Sequence, residues 1–435
     1  MSAPPAHPKT PVIGHTVDVI QDLLGFHDEV AAETGDLARV DVLGVGEYCI
    51  AAHPDHFEQI LVTDPESFAK TVDFEIAFGQ SVLTTEGETW RRQREDLEEF
   101  FYPGKIRSYA DDMVGFTERR LDTWTPGETL SLYEEMRHLT LENLFGTLFD
   151  RPLRIGADEQ LRQAADDLNL WFKASSYALP RWVPTPARRR FHEAVDVLET
   201  EARRLIRERE QADGGDDLLS TLVALREQGA SGMTDDEIVD QLVTMIFAGH
   251  DTTAFALTAA LHQLGTHPDV RERFHAELAD VLDGARPTLA DVGDLTVTAN
   301  VVNETLRRYP SLFTIPRKTT RPVELGGYQL PADTRIHLSF WRAHRDERFW
   351  DDPDAWRPAR WTTTSPREQG HSFVPFGAGR RACIGRRFAR LEATLVLATI
   401  GQRYRLDPKG PLVLEPEMTM SAGEGALARV HERDG

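Results

Sequence analysis

The sequence predicts a mainly α-helical fold with a small β region, and three stretches carry that expectation. From about Gly87 to Asp283 the apolar residues recur mostly at helical spacing. Within that stretch a longer helix starts at Thr234, which with Glu237 has the spacing of a capping box, and runs to about Thr266, just before Pro268. It is roughly 30 residues and about 45 Å long. Near the N-terminus, Leu37–Val42 and Tyr48–Ala52 read as strands around Gly44-Val45-Gly46, a hairpin, and Pro54 opens a short helix behind them. After Gly385, the run Phe388, Leu391, Leu395, Ala398 predicts a further helix.

Between Leu242 and Leu264 the long helix is apolar almost all round, as in a buried central helix or a membrane span. The polar string Gly249-His250-Asp251-Thr252-Thr253 lies in its middle, which a lipid-facing span rarely tolerates. A buried, functional helix is the expectation.

At 435 residues the chain allows one large domain or two, and no internal repeat, low-complexity tract or linker divides it. Its two cysteines, Cys49 and Cys383, lack paired spacing, which implies a reducing compartment without disulfides. No signal peptide or apolar anchor precedes Pro11, so the expected setting is cytoplasmic, with no membrane anchor. A net charge of -22 argues against nucleic acid or anionic membranes as partners. Among the basic residues only Lys9, Lys70, Lys105, Lys173, Lys318 and Lys409 are lysine. Many carboxylates with few lysines suggest adaptation to high salt; an acidic protein from a genome favouring arginine codons gives the same balance.

Near the C-terminus stands Phe376-Gly377-Ala378-Gly379-Arg380-Arg381-Ala382-Cys383-Ile384-Gly385. A cysteine between glycines, beside arginine and ahead of a helix, is a candidate thiolate ligand for haem iron. Gly379 and Gly385 would let a flat macrocycle approach the backbone. The helix N-terminus behind the sulfur would favour thiolate over thiol. Arg381 would pair with an anionic propionate. The plain alternative is that Cys383 is a small buried hydrophobe.

That string fits F-x-x-G-x-R-x-C-x-G and resembles the axial-ligand loop of the cytochrome P-450 monooxygenases. Ala248-Gly249-His250-Asp251-Thr252-Thr253 resembles the family's oxygen-activation motif, [AG]-G-x-[DE]-T-[TS]. Glu304 and Arg307 match its E-x-x-R, and Arg360 in Pro358-Ala359-Arg360-Trp361 matches the arginine that joins that pair, although Ala359 replaces a common glutamate. Trp90 and Arg94 resemble the W-x-x-x-R of the helix over the haem edge, and Arg317 matches a further propionate position.

The resemblance covers nearly the whole chain and implies one domain over 1–435, a triangular, mainly helical bundle around haem b. It implies Cys383 as iron ligand, Asp251 relaying protons toward Thr252, and Ala248, Gly249, Phe376, Gly379 and Gly385 close to the haem. Glu304, Arg307 and Arg360 would hold the cysteine loop. Electrons would come from a ferredoxin or flavodoxin-type donor with its reductase, received beside Arg380, Arg386, Arg387 and Arg390, if that island is not simply a helix surface balanced by nearby acids. A monomer is expected. Family correspondence places substrate contacts in the Thr71–Thr85 loop, near Trp171 and Phe172, along Thr244–Ala248, at Leu312–Ile315 and around Met420. There Phe74, Phe78, Phe247, Leu312, Phe313 and Ile315 suit a small apolar substrate: a lipid, terpenoid or fatty-acyl chain. The implied activity is insertion of one atom of dioxygen, by hydroxylation or epoxidation. The rivals are a peroxide-driven or isomerising enzyme and a non-catalytic haem sensor.

Overall fold

The computed structural model describes residues 2–172, 183–212, 214–229 and 232–433. Residues 173–182, 213 and 230–231, which fall within the expected helical stretch, lie outside the described residues. Helices dominate, and the long one spans Asp235–Thr266, 32 residues. Its start is fixed as the sequence implies. The Thr234 hydroxyl accepts from the Glu237 N–H at 3.2 Å, and the Glu237 carboxylate accepts from the Thr234 N–H at 2.8 Å.

This helix packs along Leu132–Leu148, and also against Pro186–Glu210, Thr296–Arg308 and Arg386–Arg403. Its first half, Ile238 to Phe247, belongs to one apolar cluster and its last half, Ala254 to Leu264, to another. The string 248–253 therefore sits at the seam between two cores, where polar groups displace little apolar contact. Gly249 lets the partner helix close in, since a Cβ there would lie 2.4 Å from the Leu144 Cδ1 atom. Among the described residues no helix is long and apolar enough to cross a membrane.

The expected hairpin forms, with β1 at Leu37–Val42 and β2 at Gly46–Ala51 paired antiparallel, Leu37 opposite Ala51. The second strand starts earlier than its apolar run, because Gly46 at φ 88° completes the turn and pairs with Val42. The hairpin edges a five-stranded sheet with Arg335–Ser339, Thr314–Thr319 and Phe68–Ala69, in that order after β2. Pro54 opens the short helix Pro54–Glu58. The sheet delivers Leu312, Ile315 and Arg317 to the cavity described next. A small hairpin, Leu414–Pro416 with Met420–Ala422, brings Met418 and Thr419 to the same cavity.

Candidate functional site

Cys383 lies two residues before Gly385, which caps the helix Arg386–Arg403. Its N–H donates to the Phe376 carbonyl at 2.9 Å, which closes the loop and leaves the side chain open to a cavity of about 320 Å³. Burial pushes the thiol up, while the Gly385 N–H and the charges of Arg94 and Arg386 pull it back toward thiolate. Cys49 is different: it is closed inside β2, where burial pushes its thiol up to about 12. Gly385 adjoins the sulfur. Gly379 has another task than the sequence suggests, for its φ is +66° and a Cβ would fall 2.0 Å from the Leu61 carbonyl oxygen. It lets two backbones meet and does not line the cavity.

Across the cavity from the cysteine loop lies the central helix, presenting Ala248, Gly249 and Thr252. Among the described residues no carboxylate lines the wall, yet Lys70, Arg94, Arg317, Arg381 and Arg390 do. Arg94 donates to the Ala382 carbonyl at 3.1 Å and to Glu98 at 2.8 Å. Arg381 donates to the Thr85 carbonyl at 2.7 Å, pairs with Glu86, and lies 4.2 Å over the Trp90 ring. Among the described residues Arg317 reaches only the Pro316 carbonyl, at 2.8 Å, and burial draws its guanidinium down to about 10. Lys70 donates to the Leu83 carbonyl and is pushed well below the usual lysine range, by burial and then by Arg381 and Arg317.

Four of these cations, Lys70, Arg94, Arg317 and Arg381, converge with acids only at the rim and fit an anion bearing more than one charge, while Arg390 is turned to Asn303. With an open thiol and apolar walls, the donor set fits a flat macrocycle with carboxylates at one edge and a metal at its centre. Haem meets that description. Lys70 escaped the sequence reading, because its neighbours come from remote parts of the chain. Its one signal was being lysine in a chain that otherwise uses arginine.

Thr252 donates its hydroxyl back to the Ala248 carbonyl at 2.8 Å, and its own carbonyl accepts from the Ser311 hydroxyl at 2.7 Å. Asp251 does not point at Thr252. Successive helix residues face different sides, and Asp251 is fully buried off the cavity wall. It accepts from Tyr133 at 2.7 Å, Asn169 at 2.9 Å and Thr419 at 2.6 Å, with the Arg137 Nε atom at 3.4 Å. Burial pushes its carboxyl up, but Arg137, His250, Thr419 and Tyr133 together hold it below the usual range.

The E-x-x-R pair closes on itself. Arg307 donates to both Glu304 oxygens, at 3.0 and 2.9 Å, and to the carbonyls of His344, Pro353 and Ala355. Glu304 also accepts from Arg360 at 3.0 Å and from the Trp361 indole at 2.9 Å.

Of the apolar residues expected to face substrate, Phe74, Phe247, Leu312 and Ile315 line the cavity. Phe78 and Phe313 do not. Phe78 stands behind the wall, its ring 4.4 Å from that of Phe247, and Phe313 turns the other way, toward His27 at 6.3 Å. Met420 is buried in a core cluster, and Met418 and Thr419 take its place. The basic island also shrinks. Arg380, though exposed, pairs with Glu66 at 2.6 Å and Arg390 donates inward to Asn303 at 2.6 Å, which leaves Arg386 and Arg387 exposed with no ion pair among the described residues.

The family model for cytochrome P450 matches residues 4–425. The chain is 34% identical to a cyclooctat-9-en-7-ol 5-monooxygenase of Streptomyces melanosporofaciens, covering 99% of this chain and 97% of that one. It is 32% identical to a pentalenene oxygenase of Streptomyces avermitilis, over 91% and 89% of the two chains. Among solved structures, the haem domain of cytochrome P450DA superposes with a TM-score of 0.89 at 26% identity, covering 100% of this chain and 98% of that one. These relatives, with others from Mycobacterium, give no support to the salt-adapted setting that composition suggested.

Proposed function

This chain belongs to the cytochrome P450 family and is a haem-thiolate monooxygenase, and we propose that the molecule it oxygenates is a polycyclic terpenoid. The observation that carries the substrate class is the cavity wall. Away from the four cations that suit the haem carboxylates, it offers Phe74, Val82, Met245, Phe247, Leu312 and Ile315; the one other charged group lining it among the described residues, Arg390, is turned to Asn303, which leaves no free group to meet a substrate carboxylate. A fatty acid would leave its charge unpaired there. Two similar chains carry the names of a cyclic alkene and a cyclic alcohol as substrates.

When bound, the haem, of the b type, supplies the redox chemistry that activates dioxygen. The chain's own residues do the rest. Cys383 holds the iron through sulfur, with Phe376 beside it. Lys70, Arg94, Arg317 and Arg381, with Trp90, hold the carboxylates. Ala248 and Gly249 leave room beside the helix, and the Thr252 hydroxyl, whose proton is held by the Ala248 carbonyl, offers its oxygen as a hydrogen-bond acceptor at the reacting side. That hydroxyl on the cavity wall favours the oxygenase over a peroxide-driven enzyme or a sensor. Glu304, Arg307 and Arg360 pin the loop. The whole chain acts as one catalytic unit, a cytoplasmic monomer that takes electrons from a separate ferredoxin or flavodoxin-type protein near Arg386 and Arg387.

Two measurements test this reading. Polycyclic terpene alkenes and alcohols are expected to shift the haem absorption band of the holoenzyme, and straight-chain fatty acids of equal carbon number to leave it in place. With a surrogate ferredoxin and reductase the product should gain one oxygen atom. Fatty acids that shift the band as strongly would overturn the substrate class. Cys383→His should lose the red-shifted band of the ferrous carbonyl complex and Cys49→Ser should keep it; the reverse would overturn the ligand.

A further inference from the structure

Asp251 is an ionised carboxylate at the seam of two cores, and it does not touch the cavity. Thr252, its neighbour in the motif, touches the cavity but spends its hydroxyl proton on the Ala248 carbonyl and makes no bond to Asp251. A proton stored on Asp251 therefore needs another exit. Of the groups that bond to Asp251, Tyr133 and Asn169 are buried away from the wall, and Arg137 turns its other edge to Asp166 at 2.7 Å, toward the surface. Among the described residues only Thr419 both bonds to Asp251, at 2.6 Å, and lines the cavity.

We propose that the Thr419 hydroxyl is the relay that carries the Asp251 proton into the cavity. The sequence motif does not include it: it lies 168 positions along the chain from Asp251, beside the strand Met420–Ala422. A hydroxyl can accept and donate at once, which suits it to this task. At rest Thr419 donates to the Asp251 carboxylate. Once Asp251 takes a proton from the surface side, where Asp166 lies part-exposed, it becomes the donor. The Asp251 O–H bond breaks as a new O–H bond forms on the Thr419 oxygen. The proton Thr419 carried before leaves to a water or oxygen acceptor in the cavity. One proton has then moved, Asp251 is a carboxylate again, and Thr419 turns back to donate to it. Met418 and Thr419 both line the wall, so a substrate in the cavity touches the segment that carries the relay.

The inference rests on the oxygenase reading, and its test separates the two. Thr419→Val keeps the shape and removes the hydroxyl; Thr419→Ser keeps the hydroxyl. Both are compared with the parent holoenzyme, using the polycyclic terpene alcohol that gives the largest band shift. Thr419→Val should bind that probe within about twofold of the parent, yet lose about tenfold in product formed per reducing equivalent, with the difference appearing as peroxide. The solvent deuterium isotope effect on product formation should rise, and the infrared carboxylate band of Asp251, assigned by its loss in Asp251→Asn, should move. Thr419→Ser should restore all three readouts. A Thr419→Val enzyme with the parent's coupling, isotope effect and carboxylate band would overturn the relay. So would a Thr419→Ser enzyme that fails as Thr419→Val does, for the side chain would then be acting through shape. A parent enzyme that oxygenates nothing would instead overturn the oxygenase reading.

Discussion

The Glu304–Arg307–Arg360 cluster and the Lys70–Arg94–Arg317–Arg381 cluster both bury charge, but they resolve it differently. In the first, Glu304 and Arg307 are each 0% exposed, and Arg360, at 9%, completes the set. Carboxylate oxygens meet guanidinium and indole donors, and the remaining guanidinium protons end on carbonyls. The second has four cations and, among the described residues within pairing distance, only Glu86 and Glu98, which are 48% and 40% exposed. An uncompensated ion inside a protein costs several kcal/mol, of order 3–5 when a buried partner is removed. A cluster closed on itself therefore serves the fold. One left with excess charge facing a cavity is half of an interaction whose other half is a ligand.

Neutralising one arginine in each cluster turns that contrast into opposite signs in one assay. Arg307→Leu leaves Glu304 with Arg360 as its one charged partner among the described residues, beside the Trp361 indole, and should destabilise the haem-free and haem-loaded protein alike, by about 3–5 kcal/mol. Arg317→Leu removes a buried charge that has no ion pair among the described residues and feels only the more distant Glu86. The haem-free protein should melt at the same temperature or higher, by up to about 1 kcal/mol, while haem loss to a scavenging apoprotein speeds up about tenfold. Thermal melts of both forms and haem-transfer kinetics give the answer. If the two variants shifted the haem-free melt equally and in the same direction, the distinction between a closed and a waiting cluster would fall.

The contrast also separates what the sequence makes legible from what it hides. The Thr234 capping box, the hairpin about Gly44-Val45-Gly46 and the loop around Cys383 are local: a few neighbouring residues set the backbone, so spacing suffices. The Glu304–Arg307 pair is local too, at i,i+3 on one helix. Lys70 is a different case, since its place in the cation cluster depends on Arg317 and Arg381 being folded against it. The reason for Gly379 lies at Leu61, across a loop contact that no motif encodes. Phe313 and Leu312 are adjacent and both apolar, yet the entry of the chain into Thr314–Thr319 sends one to the His27 side and the other to the cavity. Asp251 was legible as an acid set in an apolar helix but not in its direction, which Tyr133, Asn169 and Thr419 set from three separate segments.

A third buried charge sharpens the comparison, because it has neither a closed cluster nor a cavity. Glu392, on the helix behind Cys383, is 1% exposed and accepts from the Asn143 amide at 2.8 Å. Its second oxygen has no partner among the described residues, and neither does the Asn143 carbonyl oxygen. Burial pushes its carboxyl from 4.5 up to about 8, so at neutral pH it resolves its charge by keeping a proton. The sign of the pH dependence follows. A carboxyl whose folded value lies above its unfolded one contributes its full stability below about pH 4.5 and loses it as pH rises toward about 8. The slope for one such group is about 1.4 kcal/mol per pH unit. Glu392→Gln keeps the neutral shape and has nothing to titrate. Denaturant unfolding of the two holoenzymes should give the closest stabilities near pH 5, and the variant should become progressively the more stable by pH 8, by a few kcal/mol at most. Parallel curves over that range would mean that Glu392 is already ionised in the folded protein. A buried acid would then be living without proton or counterion, and the rule drawn from the two arginine clusters would fail at the helix that follows the cysteine.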